Sequence, residues 1–398
     1  MSTLANITGN RDDKRTLVVV FLRGGADGLT LVVPTEDDNY HRARPRLALK
    51  KKDTLNLDGN FALNPLLSPL EAAWKEGDLA IAHAAGCEDT TRSHFEAQDL
   101  MEHGGFTAGG WLARFLRARG PATSPLSAVA LAATMPEVLS GAPSAAAFQR
   151  IEEFGLRRRF APKPGEKPRE SEGRKRREEE ERLAMARFSE QLRRLSDKET
   201  GALKDAASNT FDAIRKLEAI DLEAKPANGA IYEDKDSFHS GLRQTAQLIK
   251  ADVGLDAASV DLNGWDTHFT QDIAITGNIK SLGSGLAAFR KDMGARMATT
   301  TVVVMTEFGR RLGENTSLGT DHGRGSVMFA MGGGVRGGRM LGTWNGLTRE
   351  MLDDPGDLPV WNNYRDILAP ILAKHGAPAD SFGKIFPDYE LKPLPVYA

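Results

Sequence analysis

The chain has 398 residues, an ordinary apolar content and a formal charge of -2, which removes any global electrostatic argument for binding nucleic acid or an acidic membrane surface. Its single cysteine, Cys87, excludes an intramolecular disulfide and a cysteine-based zinc knuckle, so a metal site must be built from His, Asp and Glu. No apolar run reaches the length of a membrane span, and residues 1–15 lack the apolar core of a signal peptide. As written, the chain is expected in the cytoplasm; an upstream leader would make it periplasmic or exported.

Strands and helices alternate along the chain. Residues 16–22 form a continuous β-branched run, read as a central strand, which ends in the loop Arg23-Gly24-Gly25-Ala26-Asp27-Gly28. Residues 67–75 read as a helix with Ser68 as N-cap and Pro69 in its first turn. Residues 79–85 give a second strand, helices follow from about Ser93 and Trp111, and 127–132 give a third strand. Beyond residue 150 the character changes: 157–200 are dominated by Arg, Lys and Glu, 174–195 read as a strongly charged helix, and 203–222 have better helical periodicity. Acidic and basic residues are intermixed there, so a solvated helix laced with i, i+4 pairs explains the run better than a nucleic-acid surface. The α/β rhythm resumes with a helix at 238–251, a strand at 258–262, a helix at 270–293, strands at 299–305 and 326–331, and a last helix at 363–374. Apolar, non-alternating strands between helices predict an α/β fold: a mostly parallel central sheet with helices on both faces. The core would comprise residues 15–147 and 236–398, and 148–235 would be a charged helical insertion.

Chemistry-bearing residues gather at the strand ends. Asp27 follows the first strand; an Ala-Asp-Gly turn explains it as well as a metal carboxylate does. In Ser93-His94-Phe95-Glu96, Ser93 with Glu96 makes a capping box, worth about 1 kcal/mol. The same hydroxyl at a helix N-terminus is also placed to attack or hold an anion, with Thr90 and Thr91 as rivals. His94 reads as a ligand, a general base or a polar core residue. Asp266 and His268, two apart beyond a strand, share one side of an extended loop, which suits a shared metal. Glu307 ends the strand from Thr299, where a carboxylate is expensive to bury unless a metal or a neighbour such as Arg310 or Arg311 compensates it. Asp321-His322-Gly323 precedes the strand from Ser326, and His322 is the leading imidazole ligand. Arg23, Arg310 and Arg324 are candidates to clamp an anionic substrate. His41, His83, His103, His239 and His375 have no companion motif and are read as structural.

Five stretches taken together resemble the bacterial family of unknown function DUF1501, grouped with the alkaline phosphatase/sulfatase superfamily. They are Phe21-Leu22-Arg23-Gly24-Gly25-Ala26-Asp27-Gly28, Arg92-Ser93-His94-Phe95-Glu96-Ala97-Gln98, Gly110-Trp111-Leu112-Ala113-Arg114, Thr306-Glu307-Phe308-Gly309-Arg310 and Gly319-Thr320-Asp321-His322-Gly323-Arg324-Gly325. The resemblance implies an alkaline phosphatase-like α/β sandwich with one or two divalent ions (Zn, Mn, Mg or Ca) at the carboxyl edge of the sheet. Asp27, Asp266, His268, Glu307 and His322 would be ligands, with Asp321 as ligand or support, and Ser93 would match the nucleophile region. Counting strands, Glu307 takes the position of the superfamily's signature Asp and Phe308 replaces its signature His. The Asp-x-His spacing at 266–268 is shorter than the superfamily's Asp-x-x-x-His.

The implied function is metal-dependent hydrolysis of a phosphate or sulfate ester on a small molecule or polymer. The alternative is a catalytically inactive relative that acts as a binding protein. The composition of 157–200 cannot supply a buried strand, so limited proteolysis should cut first within that segment; earlier cuts in the core would misplace the boundary.

Overall fold

The computed structural model describes residues 13–153 and 202–397, together with Leu4, Gly9, Glu190 and Arg194. The predicted helix at 174–195 and most of the charged run lie outside the described residues. Among the described residues the strands are β1 (Thr16–Arg23), β2 (Val32–Val33), β3 (Leu55–Asn56), β4 (Ala62–Leu63), β5 (Leu79–Gly86), β6 (Ala128–Ala130), β7 (Ala145–Ala147), β8 (Ala257–Asn263), β9 (Thr300–Thr306), β10 (Ser326–Gly332), β11 (Arg339–Leu341) and β12 (Asn362–Asn363). Nine form the central sheet in the order β11-β5-β10-β9-β1-β8-β6-β7, with β12 also on β5; β2, β4 and β3 form a small separate sheet.

The central sheet is largely parallel. β1 pairs in parallel with both β8 and β9, and β6 continues the parallel run from β8 to β7. The exception is β10, antiparallel to its neighbours β9 and β5. The β1 sequence shows why the sheet needs cover on both sides. Val18, Val20 and Leu22 enter one apolar cluster; Leu17, Val19 and Phe21 enter another. A strand's period of two sends alternate side chains to opposite faces, so a strand apolar at every position must be buried twice. The first face is covered by the helices Ser237–Lys250 and Thr276–Met293, through Leu242, Ala246, Leu282 and Leu286. Ala213 and Leu217 of the helix Ala202–Glu218 are buried in that cluster too. The second face is covered by Trp111–Arg119 and Tyr364–Lys374, through Phe115, Leu116, Leu368 and Leu372.

Local differences from the sequence reading have local causes. The segment expected as a helix at 67–75 is the 3-10 helix Pro65–Leu70 followed by the α-helix Glu71–Lys75, and Asn64 rather than Ser68 is its cap, accepting from the Leu66 amide at 2.9 Å. Among the described residues no helix is long and apolar enough to cross a membrane.

The loop after β1 is fixed by a buried ion pair. Arg44 Nη1 donates to Asp27 Oδ2 at 2.6 Å and Nη2 to Oδ1 at 3.1 Å, with both side chains essentially inaccessible. Thr30 Oγ1, Gln271 Nε2 and the Leu29 amide also donate to this carboxylate, at 2.7, 2.5 and 3.2 Å. Arg44 spends its remaining donors on the carbonyls of Leu312 and Arg311, at 2.7 and 2.9 Å. Burial alone would raise the Asp27 pKa, but Arg44 outweighs it and holds the group below its ordinary 3.8. The stabilisation is therefore present above that ordinary value and is lost as pH falls through the lowered one. Arg44→Met should cost about 3–5 kcal/mol by leaving a buried carboxylate without its cation, and adding Asp27→Asn should recover part of that loss. Chemical denaturation of the two variants at neutral pH checks this; an Arg44→Met protein as stable as the wild type would contradict it.

Candidate metal centre

Parallel pairing puts the carboxyl ends of β1, β8 and β9 at one edge of the sheet. β5 and β9 both run against β10, so β5 ends there too, and β10 begins there. Loops from five strands meet as a result: 24–28, 87–93, 264–270, 307–311 and 319–325. The approach is close enough to restrict side chains. Gly24 has a φ of +120°, and a Cβ there would lie 2.5 Å from the Asp266 nitrogen; a Cβ at Gly319 would lie 2.3 Å from the His268 carbonyl carbon.

Glu307, at the tip of β9 and 2% exposed, organises the near side. Its Oε1 accepts from the Gly24 amide at 2.8 Å and from Gln98 Nε2 at 3.0 Å, and Oε2 accepts from Thr306 Oγ1 at 2.9 Å. His94 Nδ1 lies 2.8 Å from the same Oε1. Burial would raise the Glu307 pKa, but donation from His94 and Gln98 lowers it, so the group is a carboxylate and can only accept. His94 Nδ1 therefore carries the proton, and this hydrogen bond raises the ring's pKa above its ordinary 6.5. In the neutral ring the lone pair is on Nε2. That atom is buried and has no hydrogen-bond partner among the described residues.

Across the gap, His322 Nδ1 lies 2.8 Å from the Arg92 carbonyl, which fixes the same tautomer. Burial lowers the His322 pKa, favouring the neutral ring. Its Nε2 faces Asp266 Oδ1 at 3.1 Å and His268 Nε2 at 2.8 Å, and His268 Nε2 lies 3.0 Å from Asp266 Oδ1. Asp266 Oδ2 is 3.4 Å from the open His94 Nε2. Burial pushes the Asp266 pKa up, but the Arg310 guanidinium, which donates to it, wins and holds it well below the carboxylate range. One donor atom each from His94, Asp266 and His322 falls within a 4.8 Å span. Two imidazoles and a carboxylate, with Nδ1–H groups tied to a carboxylate and a carbonyl, form a donor set suited to a divalent metal, and His268 stands beside them.

A family model described as "Protein of unknown function (DUF1501)" matches residues 14–384. The chain belongs to the DUF1501 family. No curated protein matches it. Among solved structures it is similar to the C-terminal periplasmic domain of EcEptC from Escherichia coli in complex with Zn, at 9% identity, covering 94% of this chain and 87% of that one with a TM-score of 0.37.

The candidate residues divide between the cluster and the scaffold of this DUF1501 site. His94, Asp266, His268 and His322 come together as described. Asp321 stands behind His268, with Oδ1 3.5 Å from Nδ1, and it also accepts from Asn315 Nδ2 at 3.1 Å, which lowers its pKa. Glu307 holds His94 and offers no free oxygen to the cluster. Asp27 is consumed by Arg44, so the structure does not place it as a ligand. Ser93 is the N-cap of His94–His103, but its side chain makes no cap hydrogen bond, and Glu96 instead accepts from Thr91 Oγ1 at 2.7 Å. The expected Ser93–Glu96 capping box is thus replaced by a Thr91–Glu96 contact.

All three arginines have partners within the fold. Arg310 is buried and donates to Asp266 Oδ1 at 2.8 Å and to four backbone carbonyls. Arg23 bonds Asp261, Glu102 and Gln98 at 2.7, 2.6 and 3.1 Å. Arg324 pairs with Asp353 and reaches the carbonyls of Asp89 and Glu88. The five histidines read as structural lie outside the cluster; His83, His239 and His375, for example, are buried on Val32 O, Ser281 O and Thr301 Oγ1.

Sequence reasoning missed Gln98, Arg92 and Arg44. Gln98 had a usable signal, four residues after His94 on the same helix face. Arg92 acts through its carbonyl, and Arg44 meets Asp27 only in three dimensions, so neither carried one. Glu307→Gln keeps the shape but removes the charge that fixes the His94 tautomer. Zinc affinity of chelator-treated protein should fall about 10–100-fold. Unchanged affinity would separate Glu307 from the metal site.

Proposed function

We propose that this protein binds a divalent metal through His94, Asp266, His268 and His322 and hydrolyses a phosphate or sulfate ester, with the fold and chemistry of the alkaline phosphatase/sulfatase superfamily. The observation that carries the metal reading is the buried, unpartnered Nε2 of His94, aimed at Asp266 within the His322 group. An imidazole lone pair kept dry without a donor is costly unless something fills the gap. Imidazole-rich sets favour zinc over magnesium or calcium. The ester reading is supported by the five motif stretches and their superfamily resemblance.

A metal bound there would polarise ester oxygens and lower the pKa of a hydroxyl or water. The remaining work falls to the chain. Glu307 and the Arg92 carbonyl keep the lone pairs of His94 and His322 turned inward. Arg310 keeps Asp266 ionised. Ser93, at the start of the helix His94–His103 and free of a cap bond, is the hydroxyl placed to attack or to hold the ester anion. Phe95 and Phe269, each following a cluster histidine, are 84% and 70% exposed.

A second reading, a relative that binds without turnover, is favoured by one observation: Arg23, Arg310 and Arg324 are all spent on the fold. A screen of phosphate and sulfate esters with metal-replete protein separates the two, since no turnover of any ester would support the binding protein. His322→Ala should remove metal and esterase activity together. Ser93→Ala should keep the metal and lose orders of magnitude in rate if Ser93 is the nucleophile; normal turnover would leave a metal-activated water. Histidine ligands must be unprotonated, so metal retention and rate should both fall as pH drops through the pKa of His94, which Glu307 raises above the ordinary 6.5.

A further inference from the structure

The opposite edge of the sheet holds a second polar opening. Where β1, β6, β8 and β9 begin, a cleft of about 500 Å³ is lined by Lys14, Arg15, Arg119 and Arg296, faced by Asp252 and Asp256. That volume lies within the range of small-molecule sites. The eight residues of β1 separate it from the histidine cluster by roughly 25 Å at the rise of a strand.

Its charges do not cancel. Arg119 pairs with Asp256 at 2.8 Å and Arg296 with Asp252 at 3.1 Å. Arg15 and Lys14 have no ion-pair partner among the described residues. Arg15 Nη1 makes only long contacts, 3.4 and 3.3 Å, to the carbonyls of Ala298 and Gly333. Four cations therefore face two carboxylates, an excess of two positive charges. The guanidinium nitrogens point the same way. The Arg119 side chain is 7% exposed, and its Nε has no hydrogen-bond partner among the described residues. Arg15 Nε is buried and unpartnered as well. Both Nε atoms are closed to water, so these arginines face the cleft through their Nη ends. Both arginines also help to depress the buried His375, which places them in one neighbourhood.

We propose that this cleft binds a phosphorylated small molecule, its phosphate held between Arg15 and Arg119 and its apolar body against Leu116, Pro143 and Leu255. A phosphate monoester brings close to two negative charges, matching the cleft's excess of two cations over its carboxylates. Its oxygens suit a planar guanidinium, which donates in parallel through its Nη groups. A monocarboxylate would leave one of the two charges unmatched.

The test is calorimetric titration of the full-length protein with inorganic phosphate at constant ionic strength. Wild type should show a binding event that weakens about tenfold or more in Arg15→Gln and in Arg119→Gln, and that is unchanged in His322→Ala. Arg119→Gln also breaks the Asp256 pair, so Arg15→Gln, which breaks none, decides if the first variant fails to fold. Three results would each overturn the site: no binding by wild type at millimolar phosphate, equal affinity in Arg15→Gln, or loss of binding in His322→Ala, which would put the phosphate at the histidine cluster.

Discussion

One buried guanidinium joins the functional edge. Arg310 follows β9, is inaccessible to solvent, and donates to the carbonyls of Gly24, Gly25, Trp265 and Thr320 and to Asp266. These acceptors belong to the loops after β1 and β8 and ahead of β10. A charge buried this deeply is tolerated only if most of its donors are satisfied, so the loops cannot separate without exposing it. The placement of Asp266 against His322 follows from that constraint. So does the close packing at Gly24, where no side chain would fit.

Two carboxylates then divide the work. Asp266 is held ionised and faces all three histidines. Glu307, deeper and fully engaged, sets the tautomer of His94 from behind. A sequence alignment by strand order makes Glu307 a ligand because it ends the strand where a signature Asp would stand. The hydrogen bonds make it the group that orients a ligand instead. Phe308 lies against His94 and His322, its ring tilted and its centroid 4.8 Å from theirs in both cases.

The layered fold was legible because its central strands carry runs of apolar residues without alternation, a pattern that requires cover on both faces. The pairing of Asp266 with His268 was legible as well, since a two-residue spacing fixes the side in extended chain. Other features were not. The antiparallel course of β10 has no local signature, yet it alone brings Asp321-His322, which precede their strand, to the edge where the other strands end. Asp27 looked like a ligand from its position; its partner Arg44 is 17 residues away and recognisable only after folding. The arginines looked available because burial of a guanidinium among carbonyls leaves no periodic trace in sequence.

The account turns on whether His94, Asp266 and His322 hold a metal. Anomalous diffraction at the zinc edge from crystals of protein prepared without chelator tests it most directly. The account predicts a single strong peak bonded to His94 Nε2, Asp266 and His322 Nε2, with Glu307 still on His94 Nδ1. A zinc-supplemented crystal with no peak there, or with the peak on Asp27, would contradict it.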